Sequence, residues 1–395
     1  MGTMIELPAI QTRLNEEEEQ AVLRVLREGK TLAAGPEGAA FEQEFAQFIG
    51  SEDAVALCNA TAALESAAIL TGLGTGDEVI IPAHTFVSSA VPFARTGATL
   101  VWADIDPKSR VVSAATIEPL ITARTRMLVV VHLYGMTVDM DPVMALAKKH
   151  NLVVVEDCAQ APGASYKGKR VGTFGDFGCF SFHSQKNITT LGEGGMLTAQ
   201  SKEVGRKVRQ LRWMGNWPFE QERECYWKPA MGNIVEPAPG LWPHNFCMGE
   251  PNCAVGRLLI KRLDAINTTR QAQAKRFKDA MSPVPELVFQ EIPEGCEHVY
   301  HLMSARFDGS AFNKHRDDLI KLIFAKYDIK CIVQYWPLYR TELFGKLGLG
   351  TACVPETDRY FDNMVSFPWW SDMGDELIDD MAGRIGRAVE ELRNS

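Results

Sequence analysis

The chain has 395 residues, 46% of them hydrophobic and 23% charged, an ordinary globular composition with length enough for more than one domain. A formal net charge of −9 disfavours nucleic-acid phosphates and anionic lipid as partners, because both require a basic surface. The longest apolar run, around MLVVVHLYGM, is too short to span a bilayer, and no stretch near the N-terminus reads as an export signal, so a cytoplasmic protein is expected.

In chain order, NEEEEQAVLRVLRE places acids ahead of apolar residues spaced along one helix face, and Gly29 supplies a stop, predicting an exposed opening helix. Short β-branched or aromatic runs then alternate with helical stretches: DAVALC, ATAALESAAIL, DEVIIP, ATLVWADI, RMLVVVHL, MDPVMALAKKH, LVVVED and GCFSFH. That alternation predicts a mostly parallel sheet with helices on both faces. GLGTGD at 72–77 imitates a dinucleotide fingerprint, but it joins a helix to a strand, the reverse of the required order. Beyond about residue 200, RWMGNWPFEQERECYWKPAMGNIVEPAPGLWPHN is too aromatic for a disordered linker and too broken for long helices, so an ordered, packed loop is expected. Its Trp213, Trp217, Trp227 and Trp242 would line a substrate pocket or pack a dimer interface. A long polar helix, AVGRLLIKRLDAINTTRQAQAKRFKDAM, two or three strands and closing helices follow as a smaller α+β domain. The expected division is a large domain over 1–260 and a small one over 261–395. Nine scattered cysteines without a CxxC pair, and His298-x-x-His301 in an apolar stretch without acids, give no metal site.

Open parallel sheets bind ligands beyond the carboxyl ends of their strands, so the residues after each run matter most. After DAVALC come Asn59-Ala60-Thr61, small residues opening a helix with free N–H groups and a hydroxyl suited to a phosphate. After DEVIIP comes Phe86, a ring that could lie on a planar ligand, and LVVV ends in Glu156-Asp157, two buried acids that need partners. Lys186 lies four residues past Phe182, before the glycines 192, 194 and 195. Taken singly, these are a helix cap, a core aromatic, a structural salt bridge and a surface lysine. Together at one sheet edge they fit pyridoxal phosphate, whose phosphate wants a helix N-terminus, whose pyridine nitrogen wants a carboxylate and whose aldehyde wants a lysine amine.

NATAAL, GDEVIIPAHTFVSSA, VHLYG, VEDCAQAPGASYKGKRVGTFGDFGCFSFHSQKNITTLGEGG and HNFCMGEPNCAVG closely resemble the DegT/DnrJ/EryC1/StrS sugar aminotransferases, from about residue 8 to the C-terminus. The resemblance implies the aspartate aminotransferase (type I) fold of pyridoxal-phosphate-dependent transferases, working as a homodimer with active sites at the subunit interface. It implies that Lys186 carries the internal aldimine, Asp157 pairs with the pyridine nitrogen, Gln160 contacts the ring hydroxyl and Phe86 stacks on the ring. Ala60, Thr61 and Ser181 would hold the phosphate, and Asn245 would reach the phosphate of the neighbouring subunit. The implied reaction carries an amino group from glutamate or glutamine to the ketone of a sugar or cyclitol, commonly a nucleotide-linked keto-sugar.

Cys247 stands where the family usually has arginine, Leu191 is an extra residue before GEGG, the Trp-rich segment is long, and Pro368-Trp369-Trp370 puts bulk where the family has smaller residues. These departures bear on the substrate. Two other functions share the pattern: a sugar dehydratase branch, which replaces the lysine with histidine, and noncatalytic regulators that keep the fold. Lys186 argues against the first, though not against some other lyase chemistry, and the full set of cofactor residues argues against the second.

Overall fold

Asn15 caps α1 (Glu16–Glu28): its Oδ1 accepts from the Glu18 N–H at 2.9 Å, while the Glu18 carboxylate accepts from the Asn15 N–H at 2.8 Å. The four acids of the first turn also face the positive end of the helix dipole, and the helix stops at Gly29. The computed structural model describes residues 4–216 and 234–395, so Trp217 and Trp227 lie outside the described residues. After α2 (Pro36–Ile49), the apolar runs become strands: β1 (Asp53–Leu57), then α3 (Ala60–Leu70), β2 (Glu78–Pro82), β3 (Thr99–Ala103), β4 (Thr125–Val131), α4 (Met140–His150), β5 (Val153–Asp157) and β6 (Phe177–Ser181).

A further strand, β7 (Gly195–Ala199), has no counterpart among the predicted elements. It completes a seven-stranded sheet of order β1-β7-β6-β5-β4-β2-β3, lying antiparallel to both β1 and β6 while the remaining pairs are parallel. Every residue of β2, β6 and β7 is buried, which is why these runs carry no polar alternation: both faces are covered.

The chain continues through α5 (Lys202–Arg212) and α6 (Glu250–Ala280) to β8 (Leu287–Phe289), β9 (Met303–Phe307), α7 (Arg316–Tyr327), β10 (Met364–Phe367) and α8 (Asp375–Arg393). The three late strands form a separate antiparallel sheet, β8-β9-β10. The first half of α6 buries Cys253, Val255, Leu259 and Leu263 with Phe41 and Phe45 of α2, and its second half gives Ala274 and Phe277 to the core around the small sheet. Residue 260 therefore falls inside a helix that serves two cores. The aromatic bulk of Pro368-Trp369-Trp370 belongs to the second core: Trp369 is fully buried, 5.9 Å from Phe277 between ring centroids, and Trp370 packs at its margin.

Candidate active site

Residues at and beyond the carboxyl ends of β1, β2, β4, β5 and β6 converge on one cavity of about 290 Å³. Of the residues expected to form a site, Ala60, Thr61, Phe86, Asp157, Gln160, Ser181 and Lys186 all border it. Asn245 does not; it is exposed and forms a β-bridge with Trp213.

One end of the cavity is the opening of α3. Asn59 caps the helix by accepting the Ala62 N–H at 2.9 Å, so the N–H groups of Ala60 and Thr61 remain for a ligand. The Thr61 hydroxyl donates to Ser88 Oγ at 2.9 Å, and Ser181 closes the same wall. Oriented amides and hydroxyls with no carboxylate among them suit a phosphate. The helix opening sits against the first residue of β7, where a Cβ on Gly195 would lie 2.3 Å from the Asn59 carbonyl carbon and 2.7 Å from the Ala60 nitrogen. Backbone cannot yield as a side-chain tip can, so Gly195→Ala is expected to cost about 1–3 kcal/mol and to loosen coenzyme retention with it. Thermal melting and the coenzyme kept through gel filtration measure the two effects, and an unchanged pair would show that α3 tolerates the intrusion. Ahead of Gly195, the turn places Gly192 at φ +108° and Leu191 at φ +60°, so the extra residue is taken up in a left-handed turn.

The two acids ending β5 diverge because successive strand residues face opposite sides of the sheet. Glu156 accepts the Gly172, Phe174 and Gly175 N–H groups at 2.8 Å each. It also meets His132 Nε2 at 3.1 Å; the Val138 N–H donates to His132 Nδ1, so Nε2 carries the proton. That is the structural pairing expected of a buried acid. Asp157, 5% exposed, accepts only from the Ser89 hydroxyl at 2.6 Å and the Ala159 N–H at 3.0 Å, and no described cation forms an ion pair with it. A buried carboxylate held this way is prepared for a positive charge arriving from the cavity.

Lys186 is half-buried as a residue, and its amine is enclosed by the protein around the cavity. Desolvation pushes the amine down to about 8, against the opposing pull of Asp157 and Glu193. No hydrogen bond or ion pair of the described residues engages this amine. Gln160 is held between Tyr134, whose N–H donates to Oε1 at 2.6 Å, and Tyr335, whose hydroxyl accepts from Nε2 at 3.0 Å. Phe86 is 49% exposed and its ring meets Tyr335 edge-on at 5.7 Å, so it is not a core aromatic but a residue bordering the cavity.

Ser88 and Ser89 stand two and three residues past Phe86, and strand-end placement alone was a usable signal for them. Gln11, His301 and Tyr335 also border the cavity, but they come from before α1 and after α6, where no strand-end rule applies. Neither Trp213 nor Trp242 borders it. Trp213 and Cys247 line a second cavity of about 250 Å³, and Trp242 is 86% exposed. The only group of described residues arranged as metal ligands is His132, Glu156 and Cys158; His298 and His301 are not part of it.

Residues 12–386 match the model of the DegT/DnrJ/EryC1/StrS aminotransferase family. The chain is 35% identical, over 80% of its length and 82% of the relative's, to GDP-perosamine synthase from Caulobacter vibrioides. It is 32% identical to the UDP-N-acetyl-3-dehydro-alpha-D-glucosamine 3-aminotransferase of Acidithiobacillus ferrooxidans, covering 98% of this chain and 97% of that one. An aminotransferase from Psychrobacter cryohalolentis superimposes with a TM-score of 0.88 at 29% identity, across 98% of this chain and all of the other.

Proposed function

The chain belongs to the DegT/DnrJ/EryC1/StrS aminotransferase family, and from that premise we propose that it transfers an amino group from glutamate or glutamine to a nucleotide-linked keto-sugar. It is a pyridoxal-phosphate-dependent sugar aminotransferase with the type I fold of that enzyme class. The observation that carries the assignment of roles is the pair formed by Lys186 and Asp157: among the described residues, an amine without a partner and a buried carboxylate without a cation, bordering one cavity.

The residues present fit the coenzyme at each point where it makes a demand. Ala60, Thr61, Ser88 and Ser181 would hold the phosphate, Phe86 the face of the ring, Gln160 its hydroxyl and Asp157 its nitrogen. When bound, pyridoxal phosphate supplies an electron sink next to the reacting carbon and a store for the amino group between half-reactions. Lys186 Nζ then moves the proton. With its affinity lowered by burial, it takes a proton from the donor's α-carbon and delivers one to the acceptor's former carbonyl carbon. Ser89 and the Ala159 N–H hold Asp157 in position, so its charge is aligned before any ligand arrives.

The nucleotide-linked acceptor follows the two relatives, each named for a reaction of a nucleotide sugar. The reading includes a homodimer with shared sites. Asn245 is exposed and away from the cavity of its own chain, which is where a residue reaching a neighbour's phosphate has to be. No described helix is long and apolar enough to cross a membrane.

The coenzyme-loaded protein is expected to lose its visible absorbance on addition of glutamate or glutamine and to recover it with a nucleotide-linked 3- or 4-keto-sugar. Stopped-flow spectroscopy with a panel of such sugars measures both halves. A protein that binds the coenzyme but never bleaches with either amino acid would refute the transfer, and one that binds no coenzyme would point to a regulator.

A further inference from the structure

Two buried polar side chains that border the Lys186 cavity have unused hydrogen-bonding groups. Gln11, 1% exposed, commits its Oε1 to Arg270 Nη2 at 3.5 Å, leaving Nε2 without an acceptor. His301, 3% exposed, has no hydrogen bond from the described residues on either ring nitrogen, and its Nδ1 is buried without a partner among them. Unpaired buried polar atoms cost free energy, and with Gln334 Oε1 there are three at this cavity, so the set points to a ligand that completes them. Burial, followed by the nearby charges of Lys186 and Arg270, keeps the imidazole neutral. A neutral ring offers one N–H and one lone pair.

Arg270 stands behind both. It is fully buried and donates to the Tyr300 carbonyl at 2.7 Å, the His301 carbonyl at 2.9 Å and Ser371 Oγ at 3.0 Å. Desolvation lowers its guanidinium to about 9, which leaves it charged at neutral pH, yet no described carboxylate forms an ion pair with it; Asp372 acts only at longer range. The N-terminal segment is tied to the lysine's own loop, through the Gln11 N–H to the Ser184 carbonyl at 3.2 Å and the Thr12 hydroxyl to the Asn187 carbonyl at 2.7 Å. Gln11 is thereby held in register with Lys186.

We propose that Gln11 Nε2 and His301 bind the α-carboxylate of the amino-acid donor, with Arg270 as the positioning residue that aims both and supplies the compensating charge. The proposal rests on the aminotransferase reading. An alternating enzyme must admit two substrates of unlike chemistry to one cavity, and a carboxylate beside the reacting carbon is what distinguishes the donor from a keto-sugar. That carbon has to meet Lys186 Nζ, so its carboxylate lies one bond further on, beside the lysine, where His301 is. Among the described residues no arginine borders the cavity, so the usual bidentate clamp is absent from this chain's wall. A sugar hydroxyl would satisfy the same two groups but would leave the Arg270 charge uncompensated, and this favours the anion.

The test uses coenzyme-loaded protein and calorimetric titration with glutarate and glutaramate, which carry the carboxylate but no amine. Wild type should bind at least one of them, and Gln11→Met, of similar length but without the donor, should weaken binding on the order of tenfold or more, as for loss of a hydrogen bond to a charged group. Gln11→Glu, which can pair with Arg270 and repels an anion, should remove binding altogether. Arg270→Lys keeps a charge but not the fan of hydrogen bonds, and should fall between wild type and Gln11→Met in affinity for these acids. Bleaching by n-butylamine, a donor without a carboxylate, should stay within about twofold of wild type in all three variants, since uniform substrate contacts rather than chemistry have been removed. Unchanged acid binding in the Gln11 variants, failure of wild type to bind either acid, or a parallel fall with butylamine would each overturn the subsite. Wild type that binds the acids, with variants that do not, but that never bleaches with glutamate or glutamine would leave the subsite standing and refute the transfer reaction instead.

Discussion

Lys186→Ala is expected to reduce transamination by about 10³-fold or more while leaving the fold intact, because the proposed reaction uses one amine as both covalent anchor and proton carrier. Removing an enclosed amine that has no partner among the described residues deletes no hydrogen bond of theirs and relieves a desolvation cost, so the melting temperature of the coenzyme-free protein should hold or rise. The same amine sets a pH dependence. In coenzyme-free protein its value of about 8 means that it is mostly protonated, and therefore not nucleophilic, at lower pH. The rate of covalent coenzyme uptake should accordingly be level above that value and fall about tenfold for each pH unit below it. Stopped-flow mixing with pyridoxal phosphate across this range measures the rate. A profile that stays flat two units below the lysine's value, or an alanine variant that turns over normally, would remove Lys186 from the chemistry.

Asp157→Asn is the second large effect. The amide keeps the shape of the carboxylate and its contact with Ser89 but cannot carry the charge that, on the proposed reading, keeps the pyridine nitrogen protonated, so turnover should drop by about 10²–10³-fold, the usual range for removing one prealigned electrostatic group. Folding should be little changed, because a buried carboxylate with no cation among the described residues is itself costly. The assignment has a specific rescue. In Asp157→Ala, a coenzyme methylated at the ring nitrogen is permanently cationic and should recover part of the lost rate. Single-turnover bleaching with glutamate reads this directly, and equal rates with the natural and methylated coenzymes would show that Asp157 acts elsewhere. Glu156→Gln should behave differently, lowering stability while affecting the coenzyme's spectrum less, since that acid accepts three backbone N–H groups and faces away from the cavity.

That contrast marks the limit of reading strand ends. The position of Glu156-Asp157 was legible because apolar runs alternating with helices can only be strands of a covered sheet, whose carboxyl ends share one edge. Ala60, Thr61, Phe86 and Lys186 were legible for the same reason, whereas Ser181 entered only through the family resemblance. Which acid would be consumed by structure and which left for the cavity depended on the loop from Gly172 to Gly175 folding back over one face. Likewise, Phe86 as a single residue looks like core, and only the packing leaves half of it exposed. β7 escaped notice because GMLTA is a short run behind a glycine turn, and its antiparallel place between β1 and β6 is a matter of pairing rather than pattern.

The amino-acid sequence by itself determined the parallel strands of the sheet, the edge at which the candidate site lies and the identity of the coenzyme, since each rests on local periodicity and on residues a few positions past a strand. Tertiary structure alone decided the far wall. Gln11 and Arg270 meet across 259 positions, and Tyr335 reaches Gln160 across 175. Separations of that length leave no periodic trace in a sequence, because the contact is set by how α6 and the second core pack on the sheet, not by the residues beside either partner in the chain.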